Sequence, residues 1–162
     1  MERTLQILND LVETGVIKGY AIGGAIGAFF YAEPVTTFDL DVFIELPQTK
    51  GCIVTSSPLY EALKAHGYRE SGESVSIEGI PVQFLPLYNA LIEEAFSTAI
   101  EKRYGQTSTQ VFRVEYLIAI CLQTGRDKDL TRVKMLLEQS DIDRNLLKDI
   151  LLRYNLIVNG IR

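Results

Sequence analysis

Two aspartates separated by a single residue, Asp39 and Asp41, are the side chains best suited to chemistry in this chain. They lie in an apolar segment typical of a β-strand, on which side chains two positions apart point to the same face. Two like charges held this close are costly unless a cation lies between them or water solvates both. The pair therefore indicates a metal site, and carboxylates solvated at a turn are the alternative interpretation.

A glycine pair, Gly23 and Gly24, precedes the aspartates and stands between a short apolar strand and a predicted helix. Glycine permits close backbone approach to a ligand, and the free N–H groups at a helix N-terminus attract anions. Beside two carboxylates, this turn predicts a site for a metal-bound nucleotide. A simple strand-to-helix turn would also explain the glycines.

A dinucleotide site is a third interpretation of the same region. Gly24 and Gly27 follow a strand, and Glu45 lies near the end of the next strand, where a ribose-binding acid belongs. However, the first glycine of that fingerprint is absent, and the C-terminal part offers no second strand–helix–strand half. The metal–nucleotide interpretation is therefore preferred.

The elements that must position these residues follow from apolar periodicity and from glycine and proline breaks. The pattern predicts strands over 20–22, 39–46, 74–78 and 80–85, and helices over 3–14, 24–31, 59–66, 87–96, 114–122, 130–137 and 146–158. The segment 48–57 is expected to be turn-rich. This order predicts an α/β (α+β) fold, a small mixed sheet with flanking helices, followed by a helical C-terminal tail. We expect residues 1–110 to form the α/β core and 111–162 a helical region packed on it as one compact unit.

Composition narrows the class of protein. An apolar fraction of 47% supports a sizeable core, and a net charge of −5 disfavours a broad nucleic-acid-binding surface. No apolar run has the length of a membrane span, and no secretory leader is recognisable. Cys52 and Cys121 have neither metal-type nor redox-type spacing, which favours a cytoplasmic location. His66, the only histidine, is expected to cap a helix, and Tyr88 to lie in the core.

Two segments resemble the nucleotidyltransferase superfamily, which has a polymerase-β-like fold. That superfamily carries a glycine pair followed by two alternating acids, and here fourteen residues separate Gly24 from Asp39. The segment 115–130 is similar to the helix-turn-helix tail of small bacterial members, including abortive-infection toxins. In that tail a Leu-Ile-Ala helix precedes an Arg-x-Lys-Asp turn, which corresponds to Arg126, Lys128 and Asp129.

The resemblance implies transfer of a nucleoside monophosphate from an NTP to a hydroxyl of a small molecule, RNA or protein. It assigns metal binding, by Mg²⁺ or Mn²⁺, to Asp39 and Asp41, and triphosphate binding to Gly23, Gly24, Arg126 and Lys128. Ordinary solvated charges at a helix start are the alternative for the two basic residues. The resemblance also makes Asp129 a polar neighbour of the acceptor. A toxin would in addition have a small regulator protein as its partner.

The chain departs from the family pattern where a third carboxylate is expected, because that position is Gln83. An amide coordinates metal weakly and cannot act as a general base. Glu45 shares the face of the aspartates but lies about 13 Å beyond Asp41, too far to substitute. A family lysine is replaced by Cys121, and a downstream acid by Arg132. A catalytically degenerate nucleotide-binding or interaction module is therefore the second hypothesis.

Overall fold

A computed structural model describes residues 1–33, 39–48 and 56–156. The helices are α1 (Glu2–Glu13), α2 (Gly24–Phe29), α3 (Ser57–Ala65), α4 (Ala90–Ser97), α5 (Val114–Thr124), α6 (Asp127–Gln139) and α7 (Arg144–Arg153). The strands are β1 (Gly19–Ile22), β2 (Leu40–Glu45), β3 (Glu70–Ser71), β4 (Ser74–Ile77), β5 (Ile80–Pro86), β6 (Ile100–Tyr104) and β7 (Thr107–Val111). Cys52, most of the segment 48–57 and the last positions of the helix predicted over 146–158 lie outside the described residues.

The strands form one mixed sheet in the order β3-β4-β5-β2-β1-β7-β6. β1 and β2 are antiparallel, whereas β2 pairs with β5, and β1 with β7, in parallel. Helices flank the sheet, and three consecutive helices, α5 to α7, follow the last strand in the described part of the chain, so the predicted α/β fold with a helical C-terminal segment is confirmed. The proposed division near residue 110 stays a prediction.

The alternation of side chains along β2 decides which face carries the aspartates. Val42 and Ile44 point into a hydrophobic cluster that contains Leu5 and Leu59, from α1 and α3. Phe43 points into a second cluster formed largely by α4 to α7. Because strand side chains alternate, Asp41 shares the face of Phe43 and lies on the side of the C-terminal helices.

The β6–β7 hairpin is an element that the sequence pattern did not predict. β6 contains Glu101, Lys102 and Arg103 in succession, so the apolar alternation that identifies a strand is weak. The strand lies at the edge of the sheet, where charged side chains are common because they discourage pairing with other chains. The hairpin also gives β1 its parallel neighbour, β7.

Two helices begin three residues away from their predicted starts. The predicted helix over 87–96 begins at Ala90, because Asn89 caps it by accepting a hydrogen bond from the Ile92 N–H at 2.8 Å. α6 begins at Asp127, three residues before the predicted start, because acids are favourable in a first turn. Among the described residues, no helix combines the length and the apolarity needed to cross a membrane.

Candidate active site

A cleft of about 290 Å³ lies over the aspartate-bearing face of the sheet, between the sheet and the α5–α6 turn. Its sheet side is lined by Gly24, Ala25, Asp39, Asp41, Phe43, Gln83, Leu85 and Tyr88. Its helical side is lined by Leu117, Ile120, Cys121, Thr124, Arg126, Lys128, Asp129 and Arg132. The structure therefore brings together five of the six site residues predicted from the sequence, and Gly23, the sixth, does not line the cleft.

The glycine pair makes room for its neighbours. Gly24 has a φ of +58°, and a Cβ there would lie 1.9 Å from Oδ2 of Asp41. A Cβ on Gly23 would lie 2.6 Å from the ring of Phe43. The Gly23 N–H donates a hydrogen bond to the Asp41 carbonyl at 3.1 Å, which ties the turn to β2. Glycine at both positions therefore allows Asp41 and Phe43 to occupy their observed places.

Asp39 is exposed and Asp41 is half-buried, and both line the cleft. Burial raises the pKa of Asp41, and the neighbouring charge of Asp39 raises it further, while three cations across the cleft act in the opposite direction. Both raising effects disfavour a second negative charge at this site. A bound cation would relieve them, which is the electrostatic property expected of a metal-binding pair.

Gln83 lies beside Asp41, because the two residues are direct partners in the parallel pairing of β2 and β5. The amide thus occupies the neighbouring strand position where the family resemblance expects a third acid. Within the described ranges, no group of three or more acidic, histidine or cysteine side chains could hold a metal on its own. Two carboxylates suffice for Mg²⁺, which usually keeps several waters and binds substrate phosphates. The donor set therefore fits a metal that arrives with a nucleotide.

The opposite wall is basic. Gly125, with a φ of +70°, ends α5, and Arg126 directly follows as the N-cap of α6. This turn brings Arg126 and Lys128 to the cleft, and Arg132 follows one helical turn later. All three cations act electrostatically on Asp41. The wall therefore offers positive charge to an anion bound above the aspartates.

A buried carboxylate joins two of these cations. Asp129 is only 1% exposed, and its Oδ2 accepts a hydrogen bond from Nε of Arg126 at 2.6 Å. Its Oδ1 accepts from Nη1 of Arg132 at 3.1 Å. The same Nη1 lies 3.8 Å from Sγ of Cys121, and burial raises the pKa of that thiol. Asp129, the residue that the resemblance makes an acceptor neighbour, is thus engaged by two arginines.

Tyr88 is a cleft residue that sequence reasoning assigned wrongly to the core. It is 58% exposed and lines the cleft, with its ring centroid 6.3 Å from that of Phe43. The sequence held a signal, because Asn89 is a favourable N-cap and the residue before an N-cap is outside the helix. Tyr88 therefore belongs to the β5–α4 connection.

The dinucleotide interpretation is wrong. It requires consecutive parallel strands, whereas β1 and β2 are antiparallel. Glu45, the proposed ribose ligand, instead forms a salt bridge with Lys18 at 2.6 Å.

His66 occupies the C-cap position of α3, as predicted.

Comparisons with known proteins identify the fold. The sequence has no match among protein-family models and no significant match among curated proteins. An antigenic nucleotidyltransferase-like protein from Paracoccidioides brasiliensis is structurally similar, with a TM-score of 0.59 at 13% identity over 94% of this chain and 87% of that one. The antibiotic-resistance factor ANT(2'')-Ia is also similar. Its solution structure gives a TM-score of 0.53 at 12% identity over 96% of this chain and 93% of that one. Its crystal structure with adenylyl-2''-tobramycin gives 0.56 at 12% identity over 96% and 98%.

Sequence identities this low carry information about architecture alone. Each match extends over nearly all of both chains, so the correspondence includes the C-terminal helices as well as the sheet. The resemblance read from the glycine pair and the two aspartates is confirmed at the level of the fold, and the toxin subtype stays a prediction. This protein has a nucleotidyltransferase fold.

Proposed function

We propose that this protein transfers a nucleoside monophosphate from an NTP to an acceptor hydroxyl. The observation that carries the proposal is the contact of Gly24 with Asp41 in a cleft that also holds Asp39. Across the same cleft lie Arg126 and Lys128. The acidic residues of one wall suit a metal ion, and the basic residues of the other wall suit the phosphate oxygens of a metal-bound triphosphate.

The proposed roles follow from chemistry. Asp39 and Asp41 would hold Mg²⁺ or Mn²⁺, with the amide oxygen of Gln83 nearby. That ion, when bound, neutralises phosphate charge and polarises the phosphoryl group. Arg126 and Lys128 would bind phosphate oxygens, because guanidinium and ammonium groups form strong charge-assisted hydrogen bonds with them. These cations would also stabilise the charge that develops as pyrophosphate leaves.

The acceptor and the biological setting extend this proposal. A small-molecule acceptor is supported by the neighbour ANT(2'')-Ia, whose crystal structure contains an adenylylated tobramycin. RNA and protein hydroxyls remain the other predicted acceptors. A cytoplasmic location is part of the hypothesis. A toxin role, with a small regulator protein as partner, is also part of the hypothesis. For a toxin, we expect expression of the protein to arrest growth and the Asp39→Ala substitution to relieve that arrest.

A non-catalytic nucleotide-binding or interaction module is the second candidate. The observation that favours it is Gln83, which stands beside Asp41 where a third carboxylate is expected and which cannot accept a proton. Such a module would bind an NTP and release no pyrophosphate.

Calorimetric titration with each NTP in the presence of Mg²⁺ tests both candidates. We expect wild-type protein to bind at least one NTP and the Asp39→Ala/Asp41→Ala variant to lose that binding. Glu45→Ala is the matched control, since it removes a carboxylate from the same strand outside the cleft. Failure of the folded wild-type protein to bind any NTP would refute the transferase proposal. Binding without pyrophosphate release across small-molecule, RNA and protein acceptors would favour the second candidate.

A further inference from the structure

We propose that Asp129 is a positioning residue, whose buried carboxylate holds Arg126 and Arg132 against the cleft so that both guanidinium groups bind the phosphates of the substrate. The inference rests on the proposed function, and it adds Arg132 to the phosphate-binding residues. Neither role follows from the family resemblance, which treats Asp129 as an acceptor neighbour and has an acid at the position of Arg132.

The carboxylate of Asp129 accepts hydrogen bonds from two arginines. Arg126 donates two hydrogen bonds to Asp129, from Nε at 2.6 Å and from Nη2 at 3.3 Å. Arg132 donates a third from Nη1 at 3.1 Å. A single carboxylate thus fixes two long, flexible side chains, both of which line the cleft.

Helix capping does not explain the position of the Asp129 carboxylate. The residue occupies position N3 of α6, where a carboxylate commonly accepts a hydrogen bond from the N-cap N–H. Among the described residues, no side chain caps α6 in this way. The carboxylate accepts its hydrogen bonds from the arginine side chains instead.

A contribution to folding stability is a poor explanation of the buried Asp129 cluster. Burying a carboxylate is costly, and a buried ion pair often contributes little net stability compared with apolar packing. The arrangement also leaves Nε of Arg132 buried without a hydrogen bond within the described part of the chain, a further cost. Arg126, by contrast, keeps 58% of its side chain exposed, so this cation remains accessible to a ligand.

The cluster lies in the same cleft as the proposed metal ligands. Arg126 and Arg132 line this cleft together with Asp39 and Asp41, so the two guanidinium groups share one binding space with the aspartate wall. Three cations and one buried carboxylate leave this wall with an excess of positive charge. Donors held in place before binding lose little conformational freedom on binding, which favours phosphate recognition.

Binding of inorganic triphosphate with Mg²⁺ tests the inference without depending on which NTP is the substrate. Asp129→Asn removes the charge and keeps the shape, and we expect it to weaken triphosphate binding by about tenfold or more, as loss of ordered charge-assisted contacts implies. Arg132→Gln should weaken binding by a similar factor. Asp127→Asn is the matched control, because it makes the same charge change at an exposed residue of the same turn and should bind as wild type does.

A separate readout distinguishes positioning from a structural role. Near-ultraviolet circular dichroism and thermal melting establish the temperature below which each variant is folded, and binding is measured there. If folded Asp129→Asn and Arg132→Gln bind triphosphate as tightly as wild type, the inference is overturned. Failure of wild-type protein to bind triphosphate also overturns it. The NTP titration with the aspartate variants decides the proposed function separately. Asp129→Glu, which keeps the carboxylate, should recover part of the affinity.

Discussion

Replacement of Gly24 by alanine should disable the site while leaving most of the fold intact. The added Cβ would lie 1.9 Å from Oδ2, 2.8 Å from Cγ and 3.1 Å from Cβ of Asp41. No other residue is among its three nearest contacts, so the conflict is with one side chain. Because Asp41 can rotate away from the intruding methyl group, the perturbation should appear as a displaced carboxylate and not as a disrupted core.

The structure gives the size of two effects of Gly24→Ala, the displacement of the Asp41 carboxylate and the backbone strain at position 24. Ordinary contact begins at 3.4 Å, so Oδ2 of Asp41 must move by about 1.5 Å, the difference between 3.4 and 1.9 Å. Misplacement of a reacting group by about 1 Å can lower a rate by roughly a hundredfold. Separately, alanine at a φ of +58° costs about 1–2 kcal/mol, which corresponds to roughly 2–8 °C in melting temperature for a domain of this size.

Gly79→Ala is the control for the backbone effect. Gly79 also has a positive φ, of +80°, but a Cβ there would meet nothing within 4 Å. We therefore expect both variants to lose similar amounts of thermal stability, measured by circular dichroism. Only Gly24→Ala should lose Mg²⁺-dependent NTP binding by calorimetry, by about tenfold or more, and pyrophosphate release by about a hundredfold.

Three outcomes would contradict this reasoning. If Gly24→Ala binds Mg²⁺ and NTP as wild type does, the position of Asp41 does not determine metal–nucleotide binding. If Gly79→Ala loses binding to the same degree, the loss reflects general destabilisation and the contact with Asp41 explains nothing. A melting temperature for Gly24→Ala far below that of Gly79→Ala would show that rotation of the Asp41 side chain does not relieve the clash with the added methyl group.

Three further predictions concern other parts of the molecule. Gly23→Ala places a methyl group against buried aromatic rings that have little room to move, so it should lower the free energy of unfolding by about 1–3 kcal/mol in urea titrations. Tyr88→Ala should weaken NTP binding by about tenfold and leave inorganic triphosphate binding unchanged in calorimetry, if the exposed ring stacks on the base. Hydrogen bonds from Arg153 and two tyrosine hydroxyls lower the pKa of Glu94 from 4.5 to about 2. Ionised Glu94 therefore stabilises the folded state above pH 4.5, and this stabilisation is lost as the pH falls toward 2. Glu94→Gln should lower the urea midpoint at pH 6 and reduce the further loss seen at pH 3.

Features with a strong local pattern could be predicted from the sequence. The alternation of Asp41 and Phe43 with Val42 and Ile44 has the period of a strand. Phe43 is buried in one cluster and Val42 and Ile44 in the other, while Asp41 lines the cleft. The glycine turn before it is equally local, since Gly24 adopts a positive φ that other residues avoid. For this reason the acidic wall of the cleft was predictable in some detail.

Features that depend on packing between distant segments could not be predicted in the same way. Arg126, Asp129 and Arg132 stand three residues apart, so their proximity on a helix is predictable. The burial of Asp129 is not, because it follows from the packing of α6 against the rest of the fold. The β6–β7 hairpin was not predicted for a different reason, because its charged edge strand shows almost no apolar alternation.

Gly27 provides a tight contact between α2, which contributes to the acidic wall of the cleft, and α5, which contributes to the basic wall. Gly27, on α2, lies between β1 and α5, where an added Cβ would be 3.1 Å from the Ile22 carbonyl oxygen and 3.2 Å from Cδ2 of Leu117. The absence of a side chain lets α2 lie close to both elements, and α5 leads directly into the turn that carries Arg126. Helix packing around Gly27 therefore contributes to the separation of the acidic and basic walls, while the chemistry of each wall is set by its own residues. A larger residue at position 27 would press on β1 and α5 and would remove no side chain that the proposed reaction uses.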